Sequence, residues 1–305
     1  LGQPVEQIEQ ALARGRQLLF AARAQRPRPS LDDKVLAGWN GMMLRAFALA
    51  ANAFGRADYR LVAEQNAAFV LEHLRDDQGR LLRSWKDGRA GTTGGFLEDH
   101  ALLADGLLAL YEATFEPRWL HEARALADVM LGQFWDDEIG GFYDTAASHE
   151  ALIVRPRETG DNATPSGNSA AADVLLKLAL IFDQPHYRER ALQVIGGMAQ
   201  LMAQYPTGFG RYLAAAEFAL AAPKEIALVG EPEHADTRAL RDAIFRPFLP
   251  NKVVVLTRGG QQPAQIASPL LTGREQIGGA ATAYVCQNYT CQRPVTTVEA
   301  LQAQL

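Results

Sequence analysis

Seven helical stretches of two kinds alternate along the first 222 residues, and this alternation restricts the available folds more than any other feature. One kind is apolar nearly all round: GMMLRAFALAANAF (41–54), FLEDHALLADGLLALY (96–111), SAAADVLLKLALIF (169–182) and YLAAAEFALAA (212–222). Such helices have no face to offer water and must be surrounded by protein. The other kind keeps its charges to one face: YRLVAEQNAAFVLEHLRD (59–76), RWLHEARALADVMLGQF (118–134) and HYRERALQVIGGMAQLMAQY (186–205). Those lie outside, facing water.

Trp39-Asn40, Asp99-His100 and Gly167-Asn168 occupy equivalent starts of buried helices, giving a repeat of roughly 60–70 residues, long for a simple solenoid. Between each outer helix and the next inner one lies a Gly-rich, aromatic insertion: DDQGRLLRSWKDG, then DDEIGGFYDT with ALIVRPRE, then PTGFGRY. These read as short hairpins or turns. An inner ring of buried helices within an outer ring of amphipathic ones is a mainly α fold, the (α/α) toroid. It places the insertions and the inner-helix N-termini on one face, with the short turns GRAD, FEPR and FDQPH on the other. An α-solenoid fits less well, because its inner helices line a solvated groove and carry more charge than these do.

The pattern changes after residue 222, which divides the chain into a barrel portion, 1–222, and a segment 223–305. KEIALVG, NKVVVLT and ATAYVCQ read as strands, with the helix-like TRALRDAIFRPF between the first two. The segment is either a small α/β appendage or one whose helix closes the barrel from outside.

A net charge of -5 with no long basic run lacks the footprint of a nucleic-acid or anionic-membrane binder. Arg45, Asp105 and Lys177 interrupt the three most apolar segments, so none is a membrane-spanning helix. Two cysteines, Cys286 and Cys291, are too few for a disulfide framework, and nothing at the N-terminus resembles a signal peptide. The expected setting is the cytoplasm, with the C-x4-C pair a set of reduced structural thiols rather than a metal site. No metal and no cofactor is called for. The chain opens on Leu1 with a patterned helix already under way, and is expected to be the C-terminal part of a longer protein.

Three constellations could carry chemistry. In SLDDKVLAGWNGMM, Ser30 and Asp33 fit a capping box, which leaves Trp39 and Asn40 free to stack on and hydrogen-bond a sugar ring, or simply to pack. In GTTGGFLEDHALLADGLL, Glu98, Asp99 and His100 open a buried helix; they either favour its positive end or supply acid and base groups. In DNATPSGNS, Thr164 and Pro165 fit an N-cap and first helical residue, leaving Asp161, Asn162, Ser166 and Asn168 for a binding wall. Trp85, Lys86, Phe142, Tyr143, Arg155 and Arg157 of the insertions add an aromatic and polar rim to the same face. His73, His121, His149, His186 and His234 are expected to be solvated.

The ordered set RPRPSLDDKVLAGWNGMM, FLEDHALLADGLL, DNATPSGNS and AYVCQNYTCQRP resembles the C-terminal half of the thioredoxin-domain-containing family that includes spermatogenesis-associated protein 20. The resemblance covers essentially the whole chain. It implies an (α/α) barrel of the six-hairpin glycosidase type, related in fold to N-acylglucosamine and cellobiose 2-epimerases. It also implies, in the parent chain, an N-terminal thioredoxin-like domain as partner and further barrel helices, since about eight helices are recognisable where about twelve close such a ring.

The functional expectation is a carbohydrate-active protein, of epimerase, isomerase or hydrolase type, taking a small sugar-like ligand. Asp99, His100, Glu98 and Asp161 are the candidate catalytic groups. Trp39, Asn40, Trp85, Tyr143, Arg155, Asn162, Ser166 and Asn168 are the candidate binding groups. The alternative is a non-catalytic module serving the redox domain.

Overall fold

The computed structural model describes residues 2–258, 266–288 and 290–305. It separates into two compact units, Leu1–Lys34 and Val35–Leu305. The first holds one helix, α1 (Val5–Ala24), none of whose residues is buried. Ser30 and Asp33 lie in the irregular stretch after it and cap no helix: the next one starts at Ala37 with Leu36 as its N-cap.

The second unit contains the alternating helices. The inner ones are α2 (Ala37–Phe54), α4 (Leu97–Thr114), α6 (Gly167–Phe182) and α8 (Gly210–Leu220). The outer ones are α3 (Ala57–His73), α5 (Pro117–Gln133) and α7 (Pro185–Gln204). Inner helices pack in the order α2, α4, α6, α8, each of the first three backed by the outer helix that follows it. This is an arc of an (α/α) toroid. Burial follows position in the row: α4 buries fifteen residues and α6 fourteen, whereas α2 and α8 at its ends bury six and three, so these two are not surrounded by protein as their apolar composition leads one to expect. Glycine permits the closest approach, because a Cβ at Gly41 would stand 2.5 Å from the Leu102 carbonyl and one at Gly106 2.5 Å from the Gly41 oxygen.

The turns from inner to outer helix are alike. Gly55, Phe115 and Asp183 each end an inner helix in the left-handed conformation, so the chain reverses within a few residues on the face opposite the insertions. Strand β1 (Val35–Leu36) pairs with β2 (Ser84–Lys86), and β2 with β3 (Arg89–Ala90), through a two-residue turn. Asp87 and Gly88 both take positive φ there, as that tight hairpin requires. Strands β4 (Trp135–Asp136) and β5 (Gly141–Phe142) form the second hairpin. Within this insertion, read as a hairpin or turn, DDEIGGFYDT supplies the hairpin and ALIVRPRE contributes no strand. Residues 151–158 are irregular, and their apolar side chains Ile153 and Val154 point to solvent rather than to a strand partner.

The C-terminal segment is a sheet in the order β7-β6-β8-β9, comprising β6 (Lys224–Val229), β7 (Lys252–Thr257), β8 (Thr282–Gln287) and β9 (Thr290–Cys291). Helix α9 (Ala235–Phe245) is the crossover between the parallel strands β6 and β7, so TRALRDAIFRPF belongs to the α/β segment. A short α10 (Val298–Gln302) follows. The free edge of β7 is covered by the end of α4: Val254 donates its N–H to Glu112 at 3.1 Å and Leu256 to the Tyr111 hydroxyl at 3.3 Å.

Cys286 and Cys291 are joined by a disulfide rather than standing as reduced thiols. The cause is register: the turn between β8 and β9 sets the two residues directly opposite one another. No helix among the described residues is long and apolar enough to cross a membrane.

Candidate functional site

The N-termini of α4 and α6 meet the loop after β5 in a cleft of about 400 Å³. Glu98 from the first turn of α4, Asp144 and Glu158 from the loop, and Asn162 and Ser166 ahead of α6 line it, with Arg83 as its cation. The loop is tied down on both sides, for Leu97 donates to the Asp144 carbonyl at 2.9 Å and Glu158 donates its N–H to the Asp144 carboxylate at 2.8 Å. Burial pushes the Asp144 carboxyl above the usual carboxylate range, and the charges of Glu158 and Glu98 push it the same way. Glu98 is held by Arg83 Nη1 at 2.8 Å. The cleft therefore joins a carboxyl raised by burial, against the pull of the Glu158 N–H, to a carboxylate paired with a guanidinium.

Asp99 is one residue from Glu98 yet serves another purpose. Its carboxylate accepts from Gly38 N, Phe96 N and Arg83 Nη1, each at 2.9 Å, and so stitches α4 to the start of α2 and to the β2 insertion. Burial raises its pKa, with Arg83 opposing. Asp161 is equally committed: it accepts from Ser166 N (3.0 Å) and Ser169 Oγ (2.6 Å) through one oxygen, and from Arg211 N (2.8 Å) and Tyr212 N (3.2 Å) through the other. It clamps the starts of α6 and α8 together. Both carboxylates accept from backbone N–H groups at helix starts and from one side-chain donor each, Arg83 for Asp99 and Ser169 for Asp161.

His100 opens elsewhere. It lines a larger cavity, of about 1160 Å³, between α5, the segment after α3 and the loop around His149. Its Nδ1 lies 2.9 Å from the Phe96 carbonyl, which makes that nitrogen the protonated one, and its ring packs 5.1 Å from Phe134. Burial drives its pKa down to about 4. His149, expected in solvent, lines the same cavity and packs against Phe96 and Phe134, and burial lowers its pKa too. His73 stacks against Trp85 instead of facing water alone.

Ser166, not Thr164, caps α6: its Oγ accepts from Ser169 N at 3.1 Å, and the helix begins at Gly167. Asn168 holds the β4–β5 hairpin, accepting from Phe142 N at 2.9 Å and donating to Phe142 O at 3.0 Å and Glu158 O at 3.3 Å. Asn40 donates to Leu36 O at 2.8 Å and accepts from Asn66 at 2.7 Å, which joins α2 to α3. Trp39 is 60% exposed on α2, away from the cleft. Trp85 packs edge-on against Phe69 of α3. Tyr143 lies between the guanidinium groups of Arg155 (4.0 Å) and Arg157 (4.7 Å); Arg155 donates to the Thr145 and Gln133 carbonyls, and Arg157 pairs with Asp136 at 2.7 Å. Of the twelve expected site residues, the cleft collects Glu98, Asn162 and Ser166.

Sequence reasoning missed Asp144, Glu158 and Arg83, which are unremarkable in single hairpin segments. It also missed a largely buried ion cluster between the inner helices. Arg45 on α2 pairs with Asp105 on α4 at 3.0 Å, Lys177 on α6 with Asp173 at 2.8 Å, and Arg211 on α8 bridges Asp105 and Asp173. Burial alone would raise the Asp105 carboxyl, but Arg211, Arg45 and Lys177 hold it far below the usual range. The signal was present: a lone charge inside an all-apolar helix needs a partner from a neighbour.

No family model matches the sequence. Human spermatogenesis-associated protein 20 is 34% identical over 307 residues, an alignment covering 97% of this chain and 39% of the relative. The rat protein of that name is 33% identical over the same shares. The chain is homologous to spermatogenesis-associated protein 20. It spans about two fifths of the length of these curated relatives. Among solved structures, a GH76 α-mannanase from Bacteroides thetaiotaomicron is similar with a TM-score of 0.48 and 16% identity, covering 90% of this chain and 71% of the other. Cellobiose 2-epimerase from Bacillus thermoamylovorans gives 0.46 and 13%, covering 55% and 45%. Similarities of this size attach no activity to the chain.

Proposed function

We propose that the cleft at the starts of α4 and α6 binds a hydroxyl-rich, sugar-like ligand, and that the intact protein is carbohydrate-active. One observation carries the reading: Asp144, with its pKa raised by burial, shares a cleft of about 400 Å³ with Glu98, a carboxylate held by Arg83. Two carboxyls in one cleft, one pushed upward by burial and the other ion-paired with a guanidinium, suit the protonation of a leaving oxygen or the movement of a proton next to a carbonyl. Asn162 and Glu158 add polar groups at the rim to fix hydroxyls.

The test is a thermal-shift screen of mono- and disaccharides on the full chain and on Asp144→Asn. A sugar at about ten times its Kd stabilises by about 1.4 kcal/mol, which raises Tm by about 2–4 °C. The expected outcome is such a shift in the native chain and its loss in the variant. A flat response to every sugar overturns the reading. A shift without turnover in the full-length protein assigns binding alone.

A further inference from the structure

We propose that Cys286 and Cys291 form a dithiol–disulfide exchange site, with Cys291 as the sulfur attacked and an external dithiol as the electron donor. The sulfurs differ in access. Cys286 is 2% exposed on β8, while Cys291 on the edge strand β9 is open to solvent. An incoming thiolate therefore reaches Cys291 Sγ and expels the Cys286 sulfur.

Arg274 is set to receive the charge that this step creates. Its Nη2 lies 2.9 Å from Cys291 Sγ and 3.3 Å from Cys286 Sγ. Its aim is fixed by Nε donating to the Leu270 carbonyl at 3.2 Å and by the guanidinium lying over the Tyr284 ring at 4.5 Å. A guanidinium gains little from a neutral disulfide. Against a thiolate it gains a charge-assisted hydrogen bond, so this placement favours the opened pair. Among the described residues, Glu225 stands directly opposite Cys286 on β6, and Tyr284 lies two residues before Cys286 on the same face of β8. Glu225 opposes negative charge at the buried sulfur, which makes Arg274 the group that tolerates it. A purely structural staple is poorly served here, because the bridge spans five residues already closed by a hairpin, where cross-linking constrains the unfolded chain least.

In the forward step a donor thiolate bonds to Cys291 Sγ, the Cys286–Cys291 bond breaks, and Cys286 leaves as a thiolate beside Arg274. The donor's second thiol, as its thiolate, then attacks its own sulfur in the mixed disulfide and releases Cys291. The pair gains two electrons and two protons, and the donor dithiol becomes a disulfide.

The test uses the full chain in dithiothreitol buffers of graded redox poise, with thiols counted by maleimide mass-tagging and fold followed by circular dichroism. Iodoacetamide alkylation of the reduced protein is then mapped against pH for the native chain, Arg274→Gln and Arg274→Lys. Two thiols are expected to appear together in folded protein, with Cys291 alkylated first. Arg274→Gln should slow alkylation near neutral pH by about tenfold through a higher thiol pKa, and Arg274→Lys should restore much of it. Three results overturn the proposal: a bridge that opens only on unfolding, thiols that stay reduced in excess glutathione disulfide, or an alkylation profile that Arg274→Gln leaves unchanged.

Discussion

Two charged clusters, one among the inner helices and one at their starts, are compensated in different ways. Between the inner helices Asp105 and Asp173 are met by Arg45, Lys177 and Arg211 from three helices. At the start of α4, Glu98 shares a cleft with Asp144 and Glu158 of the loop after β5 and with Arg83, which Asp99 also engages. Burial pushes every one of the shifted carboxylates upward. The cations reverse that push at Asp105 and Asp173, whereas neighbouring acids reinforce it at Asp144. A cluster whose carboxylates are matched by cations holds helices together, and a less compensated one at a cleft is a candidate for proton transfer.

The sharpest way to break the comparison is Asp105→Ala. Arg211, Arg45 and Lys177 then face one remaining carboxylate, and urea denaturation should show a loss of about 3–5 kcal/mol. A loss below about 1 kcal/mol would mean the cluster is solvated and the contrast is false.

Next is the dependence on pH. His100 titrates at about 4 in the fold against 6.5 unfolded, so the unfolded chain binds the extra proton between those values. Its contribution is intact above pH 6.5 and shrinks as the pH falls through that window towards about 4, amounting to about 3 kcal/mol in all. The difference in stability between the native chain and His100→Leu, measured from pH 7 to 4, isolates this slope from the carboxylates.

Asp99→Asn keeps an acceptor but loses the charge that engages Arg83 and part of the tie to Gly38 and Phe96; a cost of about 1–3 kcal/mol is expected in the same denaturation experiment. Smallest in stability is Glu98→Gln. Its carboxylate is part-exposed and its ion pair is worth at most about 1 kcal/mol, yet the sugar-induced thermal shift should vanish. If instead Asp99→Asn abolished ligand binding at unchanged stability, the two neighbours would exchange roles.

Much of the architecture was legible because it rests on local pattern. Helices α2 to α8 match the expected apolar and amphipathic segments to within a few residues, and the insertion around Trp85 forms the expected hairpin. The site was less legible, since Glu98, Asp99 and His100 stand side by side in sequence yet face three surroundings: a cleft, the α2 backbone and a separate cavity. Successive residues of a helix point about 100° apart, so adjacency in sequence gave no shared direction. Thr164 and Pro165 fitted a cap by residue type, but Ser166 reaches the free N–H of Ser169.

The sequence by itself determined where the helices run, the alternation of apolar with amphipathic ones and where a hairpin interrupts them, because hydrophobic periodicity and turn chemistry act over a few residues. Only the tertiary structure decided which acid meets which cation, and hence which carboxylates are structural and which face a cleft. Asp99 lies 61 positions from Gly38 and Arg211 106 positions from Asp105, and the distance dependence of charge and hydrogen bonding acts on separation in space.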